Sequence, residues 1–350
     1  MGVDAFRDSL YAMLKRNTFL NIKFENMLDT LGEMSRTDLY SYLKEWEQLT
    51  PLPFYSIGEP ELTKVVNKGG EEFFVLKVLV SNNSDYDGII QMNVLQNGWW
   101  YQPMEDPRAR KKVEIAAHTS KEFVSVWEEQ IRDVEINTMV SGNLPYMIRQ
   151  SIGNVKQERN KIVKDTIYTL PESSLEMPGE VIVDNEDSTL FVLSTPAVVG
   201  LLPKWLDKVE DTSFKYSGIS WWRAPLQWTA TTNAKYYGKY IRSAYVIKSG
   251  DGSQTATWKI PVPEAGQYEL YYHVFKDDEL RWNDRLQGEY HFRVAYDSEM
   301  EDAYINLRKA NEGWEQLGTY YFSADTVRVV LTDECKLRSV TADAVKIVKR

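Results

Sequence analysis

The residues of this chain that could carry chemistry are few and scattered. Its three histidines, His118, His273 and His291, stand in no H-E-x-x-H or other metal-ligand spacing. Cys335 is the one cysteine, so no intramolecular disulfide forms and no Cys–His nucleophile is implied. There is no G-x-S-x-G, P-loop or G-x-G-x-x-G pattern, and Gly69-Gly70 reads as a turn. Carboxylates cluster at Glu186-Asp187, at Asp277-Asp278-Glu279, and at Glu299 with Glu301 and Asp302. Glycosidase chemistry needs two carboxyls about 5–10 Å apart across a sugar, a geometry that sequence neighbours do not supply. Such oxygens could hold a structural calcium in a loop; no other cofactor is expected, and no catalytic residue or metal ligand is assigned.

Aromatic residues are plentiful, with 11 Trp and 21 Tyr. A flat ring stacks on the apolar C–H face of a pyranose, while Asn, Asp and Arg read its hydroxyls. The candidate ligand-binding residues are Trp221, Trp222, Trp228, Tyr236, Tyr237, Tyr245 and Trp282, with Arg242, Arg281, Asn283 and Asp284. Arg281 to Arg285 lies between two strand patterns and reads as a loop, where binding residues concentrate. Trp222 or Trp228 could instead plug the end of a sandwich.

The elements that must position these residues follow from periodicity. Apolar stripes at Phe6, Leu10, Met13 and Leu14, at Phe24, Met27, Leu28 and Leu31, and at Leu39, Tyr42, Leu43 and Trp46 predict three helices over residues 1–50. Ser35-Arg36-Thr37-Asp38 has the form of a cap for the third. Pro51-Leu52-Pro53 ends the helical pattern. Strands are expected at Phe73–Val80, Ile89–Leu95, Lys111–Ala116, Phe123–Trp127 and Val134–Asn137, a small antiparallel sandwich over 51–141. On the first of these both faces are apolar, which fits burial in an interface. Residues 142–179 are polar and mixed and read as a linker that could hold one short helix or strand. From 180 onward strands resume: Tyr268, Leu270, Tyr272 and Val274 share one face, and Glu269, Tyr271, His273 and Phe275 the other. Asp251-Gly252 reads as a hairpin turn and Gly266 as a glycine free to take positive φ. Residues 194–225 look like an inserted excursion.

The formal charge is −10 with pI near 5.1, so the basic footprint of a nucleic-acid binder is missing. No apolar run reaches the roughly 18–20 residues that span a bilayer, and the first residues lack a signal-peptide layout. The chain opens directly in an amphipathic helix, so it is expected to be a segment of a longer product.

Five pieces then occur in order: Val183-Asp184-Asn185; the Trp258 strand; Pro263-Glu264-Ala265-Gly266-Gln267-Tyr268-Glu269-Leu270-Tyr271; Gly313-Trp314 through Leu317-Gly318-Thr319-Tyr320-Tyr321-Phe322; and Ala342-Asp343-Ala344-Val345. Together they resemble the golvesin C-terminal-like domain over about 180–350. That resemblance implies a β-sandwich found at the ends of secreted bacterial proteins, polysaccharide lyases among them, and a carbohydrate-binding role. Asp184 and Asp343 match family positions and are expected to hold turns. The excursion is longer than the family pattern. Residues 2–140, with Phe24-Glu25-Asn26-Met27-Leu28 and Leu39 through Trp46, are similar to the helices and sandwich that follow the zinc site in gluzincin-type aminopeptidases; the zinc motif itself would lie upstream.

The expected fold is α+β and mostly β: a helical segment (1–50), a small β-sandwich (51–141), a linker (142–179) and a larger, jelly-roll-like sandwich (180–350). The expected function is a non-catalytic, extracytoplasmic binding segment of a larger bacterial surface or membrane-associated protein, with polysaccharide or glycan as partner. Its partners also include an upstream peptidase or membrane domain of the same protein, and no nucleic acid. The alternatives are the tail of a zinc aminopeptidase-like protein without its catalytic domain, and a protein–protein assembly module.

Overall fold

The computed structural model describes residues 3–18, 23–36, 38–39, 41, 51–96, 106–152, 155–159, 163–173, 175, 179–194, 215–219, 223–276, 288–297 and 299–350. The chain divides into two compact units, Met1–Leu52 and Pro53–Arg350, at the proline break. The first unit contains helices α1 (Val3–Arg16) and α2 (Phe24–Ser35). Met13, Leu28 and Leu31 of the expected stripes are buried, while Phe6, Leu14 and Phe24 stay exposed. Ser35 is not the cap of a third helix. It ends α2, which closes at Arg36 in the left-handed conformation (φ 54°). Asp38 caps instead, its Oδ1 accepting from the Ser41 N–H at 2.9 Å. Most of the third stripe lies outside the described residues.

The second unit is mostly β, with five sheets among its described residues. In sheet order, the first runs Thr166–Pro171, Thr119–Trp127, Glu72–Asn82, Glu61–Val66, Val155–Arg159, with Tyr55–Ile57 also on Glu72–Asn82. The second runs Arg110–Ile115, Gly88–Gln96, Ile131–Asn137, Met147–Ser151. The third runs Glu180–Val183, Val345–Lys349, Gly266–Val274, Gly313–Phe322. The fourth runs Phe191–Leu193, Thr255–Pro261, Thr326–Thr332, Glu289–Tyr296, Glu299–Asn306. The fifth is Thr229–Thr232, Ser243–Lys248, Ser339–Ala342. Within these sheets the one parallel pair is Glu61–Val66 with Val155–Arg159.

The period-2 patterns explain the layers. Leu76, Val78, Val80, Phe123 and Trp127 of the first sheet share a core with Ile90, Met92, Val94, Val134 and Ile136 of the second. Full burial of each such side chain contributes about 1.5–3 kcal/mol. The other face of Glu72–Asn82 is covered within the chain: Val75 packs with Val65 and Val124, flanked by Phe73, Val126 and Val163. A second core gathers Trp258, Phe292, Val329 and Leu331 from the fourth sheet with Tyr268, Leu270, Tyr272 and Ile347 from the third.

Three readings from sequence change. Residues 142–179 are not a bare linker: Met147–Ser151 closes the second sheet, and Val155–Arg159 and Thr166–Pro171 form the two edges of the first. Both edges bury little, so neither needs the apolar alternation that marks a strand. Asp251-Gly252 is not a hairpin, because its flanking strands belong to different sheets. Gly252 does take positive φ (90°), and Asp333 Oδ1 accepts from the Gly252 and Gln254 N–H groups at 2.8 and 3.2 Å. Gly266 is not among the positive-φ glycines.

The two halves of this unit are stitched by backbone. Leu144 and Ile241 form a parallel bridge, in which Leu144 N–H donates to Tyr240 O (3.0 Å) and Arg242 N–H to Leu144 O (2.6 Å). Buried Asn143 braces it: Oδ1 accepts from Tyr55 N–H at 2.9 Å, and Nδ2 donates to Tyr55 O at 2.8 Å and to Tyr240 O at 3.3 Å. Replacing this side chain leaves buried backbone groups unpaired at about 1–3 kcal/mol. Asn143→Ala is therefore expected to lower unfolding free energy by about 2 kcal/mol in urea titrations with an unchanged m-value. A loss under a few tenths of a kcal/mol would remove Asn143 from the junction.

Candidate functional site

The third sheet carries the arrangement with most chemical content. On Gly266–Val274, Tyr268, Leu270, Tyr272 and Val274 point into the core, so Glu269, Tyr271 and His273 face outward. The ladder sets His273 opposite Trp314, and Tyr271 between Gln316 and Lys346. The Lys346 ammonium sits 4.9 Å from the Trp314 ring centroid and 5.4 Å from that of Tyr271, and pairs with Glu180 Oε1 at 2.9 Å. The Trp314 ring also meets Tyr237 (5.1 Å) and, edge-on at 78°, His273 (5.1 Å). Tyr271 OH donates to Glu269 Oε2 at 2.6 Å. The result is a half-buried aromatic shelf with one neutralised ion pair on it.

Beneath the shelf lies Asp343, fully buried where the chain crosses from Ser339–Ala342 in the fifth sheet to Val345–Lys349 in the third. Ala342 and Ala344 on either side have no exposure, so this crossing tolerates only small neighbours. The Asp343 carboxylate accepts from the Tyr237 N–H (3.2 Å to each oxygen) and from His273 Nδ1 (2.8 Å). Its backbone is held as well: Trp258 Nε1 donates to Asp343 O at 3.2 Å, and His273 N–H to Ala344 O at 2.9 Å. Burial pushes the Asp343 pKa up, with His273, the Tyr237 N–H and Arg242 pulling it back. Burial brings the Arg242 guanidinium down to about 10, still charged at neutral pH, against the pull of Asp343. Asp184 is raised well above the usual carboxylate range, by burial and then by the charge of Asp343. With Nδ1 on Asp343, the Nε2 of His273 has no partner among the described residues and is open to hydrogen bonding.

The structure brings together only part of the expected set. Tyr237 lies on the shelf, and Arg242 lies beside Asp343, with Nη1 donating to Ala234 O at 3.0 Å. Tyr236 is 4 % exposed, its ring edge-on to Phe275 at 4.7 Å, and so offers no free face. Trp228 and Tyr245 pack against the core. Trp221, Trp222, Arg281, Trp282, Asn283 and Asp284 lie outside the described residues. Sequence reasoning missed Tyr271, His273, Trp314, Lys346 and Glu180 as a group. Strand alternation had already turned Tyr271 and His273 away from the core; cross-strand register, which brings in Trp314 and Lys346, is not readable from one sequence.

Chemically, the shelf can stack a flat apolar surface and exchange hydrogen bonds. Among its described residues the shelf includes no Ser, Thr or Cys, and the buried Ser243 hydroxyl is engaged by the Asn185 side-chain amide (2.6 Å) and by Glu186. Among the described residues, no group of three or more His, Cys, Asp or Glu is placed to hold a metal ion.

Because the folded pKa of Asp184 is raised, folding binds a proton between the ordinary carboxylate value and the raised one. Its contribution to stability is therefore greatest at acid pH and falls as pH rises through the raised pKa. Asp184→Asn keeps the acceptor for the Asn185 N–H (2.7 Å) and removes the charge. It is expected to raise stability at neutral pH and to flatten the weakly acidic limb of the stability–pH curve. Melting curves across that range check this; a variant destabilised at neutral pH with an unchanged slope would contradict it.

No curated protein sequence matches the chain. Among solved structures, two Bacteroides uniformis β-glucuronidase structures are matched at 10 % and 11 % identity, each over 91 % of this chain and 32 % of theirs, with TM-scores of 0.23 and 0.22. The chain thus spans about a third of their length. A chain of the Sulfolobus turreted icosahedral virus is matched at 10 % identity over 85 % of this chain and 92 % of that one, with a TM-score of 0.18. Superpositions this loose say nothing of function. The family match lies in the C-terminal part and leaves the aminopeptidase-like reading of residues 2–140 without support: residues 221–349 match the Golvesin C-terminal domain.

Proposed function

We propose that this chain is a non-catalytic accessory segment whose C-terminal part, a two-layer β-sandwich formed by the third and fourth sheets, binds carbohydrate through the outer face of the third sheet. The observation that carries this reading is the shelf of Trp314, Tyr237 and Tyr271 above the His273–Asp343 pair. Aromatic faces accept the C–H face of a pyranose, and the His273 Nε2 and the Glu180–Lys346 pair read its hydroxyls. The Golvesin C-terminal domain match supports the accessory role. The shelf's one ammonium is already paired with Glu180, which favours a neutral glycan over a polyanionic one. Trp221, Trp222, Arg281, Trp282, Asn283 and Asp284, outside the described residues, remain proposed ligand contacts. A structural calcium, an extracytoplasmic location and a larger bacterial surface protein as parent belong to the same proposal.

Titrating the chain with a panel of neutral and uronic polysaccharides, followed by Trp fluorescence, tests it. Saturable binding of a neutral glycan is expected. Trp314→Ala should weaken it at least about tenfold, or roughly 1.4 kcal/mol, as expected of a central aromatic contact. Binding untouched by both Trp314→Ala and Tyr237→Ala would move the site elsewhere, and no response across the panel would sink the carbohydrate reading.

A further inference from the structure

One edge of the first sheet departs from the other long sheet edges among the described residues. Thr166–Pro171 pairs on one side with Thr119–Trp127 and ends the sheet on the other. Its sequence, Thr-Ile-Tyr-Thr-Leu-Pro, carries no charge, and Ile167 (37 %), Tyr168 (51 %) and Leu170 (39 %) are exposed on both faces. Exposed strand edges are normally blunted by charge, bulges or shortness. Here the opposite edge of the same sheet, Val155–Arg159, carries Lys156, Glu158 and Arg159. Arg110–Ile115, edging the second sheet, carries Arg110, Lys111, Lys112 and Glu114. Glu299–Asn306, edging the fourth, carries Glu299, Glu301 and Asp302. Gly313–Phe322, edging the third, is broken by a register shift. Thr166–Pro171 has none of these devices before its final proline.

We propose that this edge pairs with the same strand of a second copy of the chain, antiparallel about a two-fold axis at Tyr168. Such an axis keeps the two faces of the sheet matched, so residues equidistant from Tyr168 oppose each other. Tyr168 then meets Tyr168, a favourable aromatic cross-strand pair, while Ile167 meets Thr169 and Thr166 meets Leu170. The same register places Lys164, exposed and in no ion pair among the described residues, opposite Glu172 of the second copy, once at each end. Glu172 is anchored by His118 Nδ1 (2.7 Å) and Asn83 Nδ2 (2.9 Å). A register centred on Thr169 puts Glu172 against Thr166 and loses both charge pairs. Backbone hydrogen bonds supply the attraction, and the flanking charges fix the register.

Sedimentation equilibrium of the full chain over a wide concentration range tests this independently of any glycan. A reversible monomer–dimer equilibrium is expected. Tyr168→Lys puts two ammonium groups face to face on the axis and should weaken self-association at least about tenfold, with an unchanged melting curve showing that the fold is intact. Lys164→Glu should weaken it too, and the swap Lys164→Glu with Glu172→Lys should restore it. A chain that stays monomeric at the highest concentration overturns the proposal. So does a dimer indifferent to Tyr168→Lys, or a double swap as weak as the single one.

Discussion

The C-terminal half of this molecule depends on how one buried carboxylate is satisfied. Asp343 has no exposure, and an ionised carboxylate without partners in such a place would cost many kcal/mol. Its acceptor capacity is used by two donors from two separate segments, the Tyr237 N–H and His273 Nδ1. Removing one partner of such a buried pair typically costs about 3–5 kcal/mol. The loop before Ser243, the end of the Gly266–Val274 strand and the crossing at Ala342–Ala344 therefore cannot move independently. Gly238 shows how tightly that loop is drawn: its φ is +149°, and an added Cβ would lie 1.9 Å from Ile241 O.

The rigidity reaches outward and sideways. Outward, His273 and Tyr237, held from below by Asp343, are the two residues against which Trp314 packs. The shelf thus inherits its geometry from the core, and its rings lose little freedom when a ligand arrives. Sideways, Arg242 faces Asp343 with its side chain while its own N–H donates to Leu144 O. The same short loop therefore answers to the aromatic shelf and to the junction with the preceding sheets, where Asn143 ties Tyr55 to Tyr240.

Local signals in the sequence carried much of this. Glu72–Asn82, Gly88–Gln96 and Arg110–Ile115 lie within two residues of the strands expected, because alternation of large apolar side chains leaves one sensible face for each. Val155–Arg159 and Thr166–Pro171 were not legible: edge strands bury little, so their sequences need no apolar alternation. Asp343 does stand between two strands, Ser339–Ala342 and Val345–Lys349, but nothing in Ala-Asp-Ala-Val announces that its side chain turns inward to meet His273, 70 residues away. The candidate site was half legible for the same reason. Aromatic richness pointed to a stacking surface and picked out Tyr237, but also Tyr236, one residue along and facing the core. Choosing between them needs the loop conformation that the Asp343 carboxylate imposes.

The distribution of charge ties these surfaces together. At a net −10, two copies repel each other on average, more strongly at low salt. Such a field leaves close approach least costly where charge is absent or internally cancelled. Two features of that kind stand among the described residues. On the shelf, the half-buried Lys346 is matched by Glu180 and covered by rings; a ligand there meets polarisable faces and fixed hydrogen-bonding groups without a net field, which suits a hydroxyl-rich neutral molecule. Within Thr166–Pro171 no charge is present; just before it Asp165 is held by the Val126 N–H at 2.7 Å and lies 3.9 Å from Arg108, and beyond these Lys164 and Glu172 are of opposite sign at opposite ends. A symmetric antiparallel pairing turns that asymmetry into two attractions, whereas a parallel pairing in register would set like charges against each other. Among the described residues, the acidic surface that discourages random contact thus spares the aromatic shelf and the Thr166–Pro171 edge, and the two lie on different sheets.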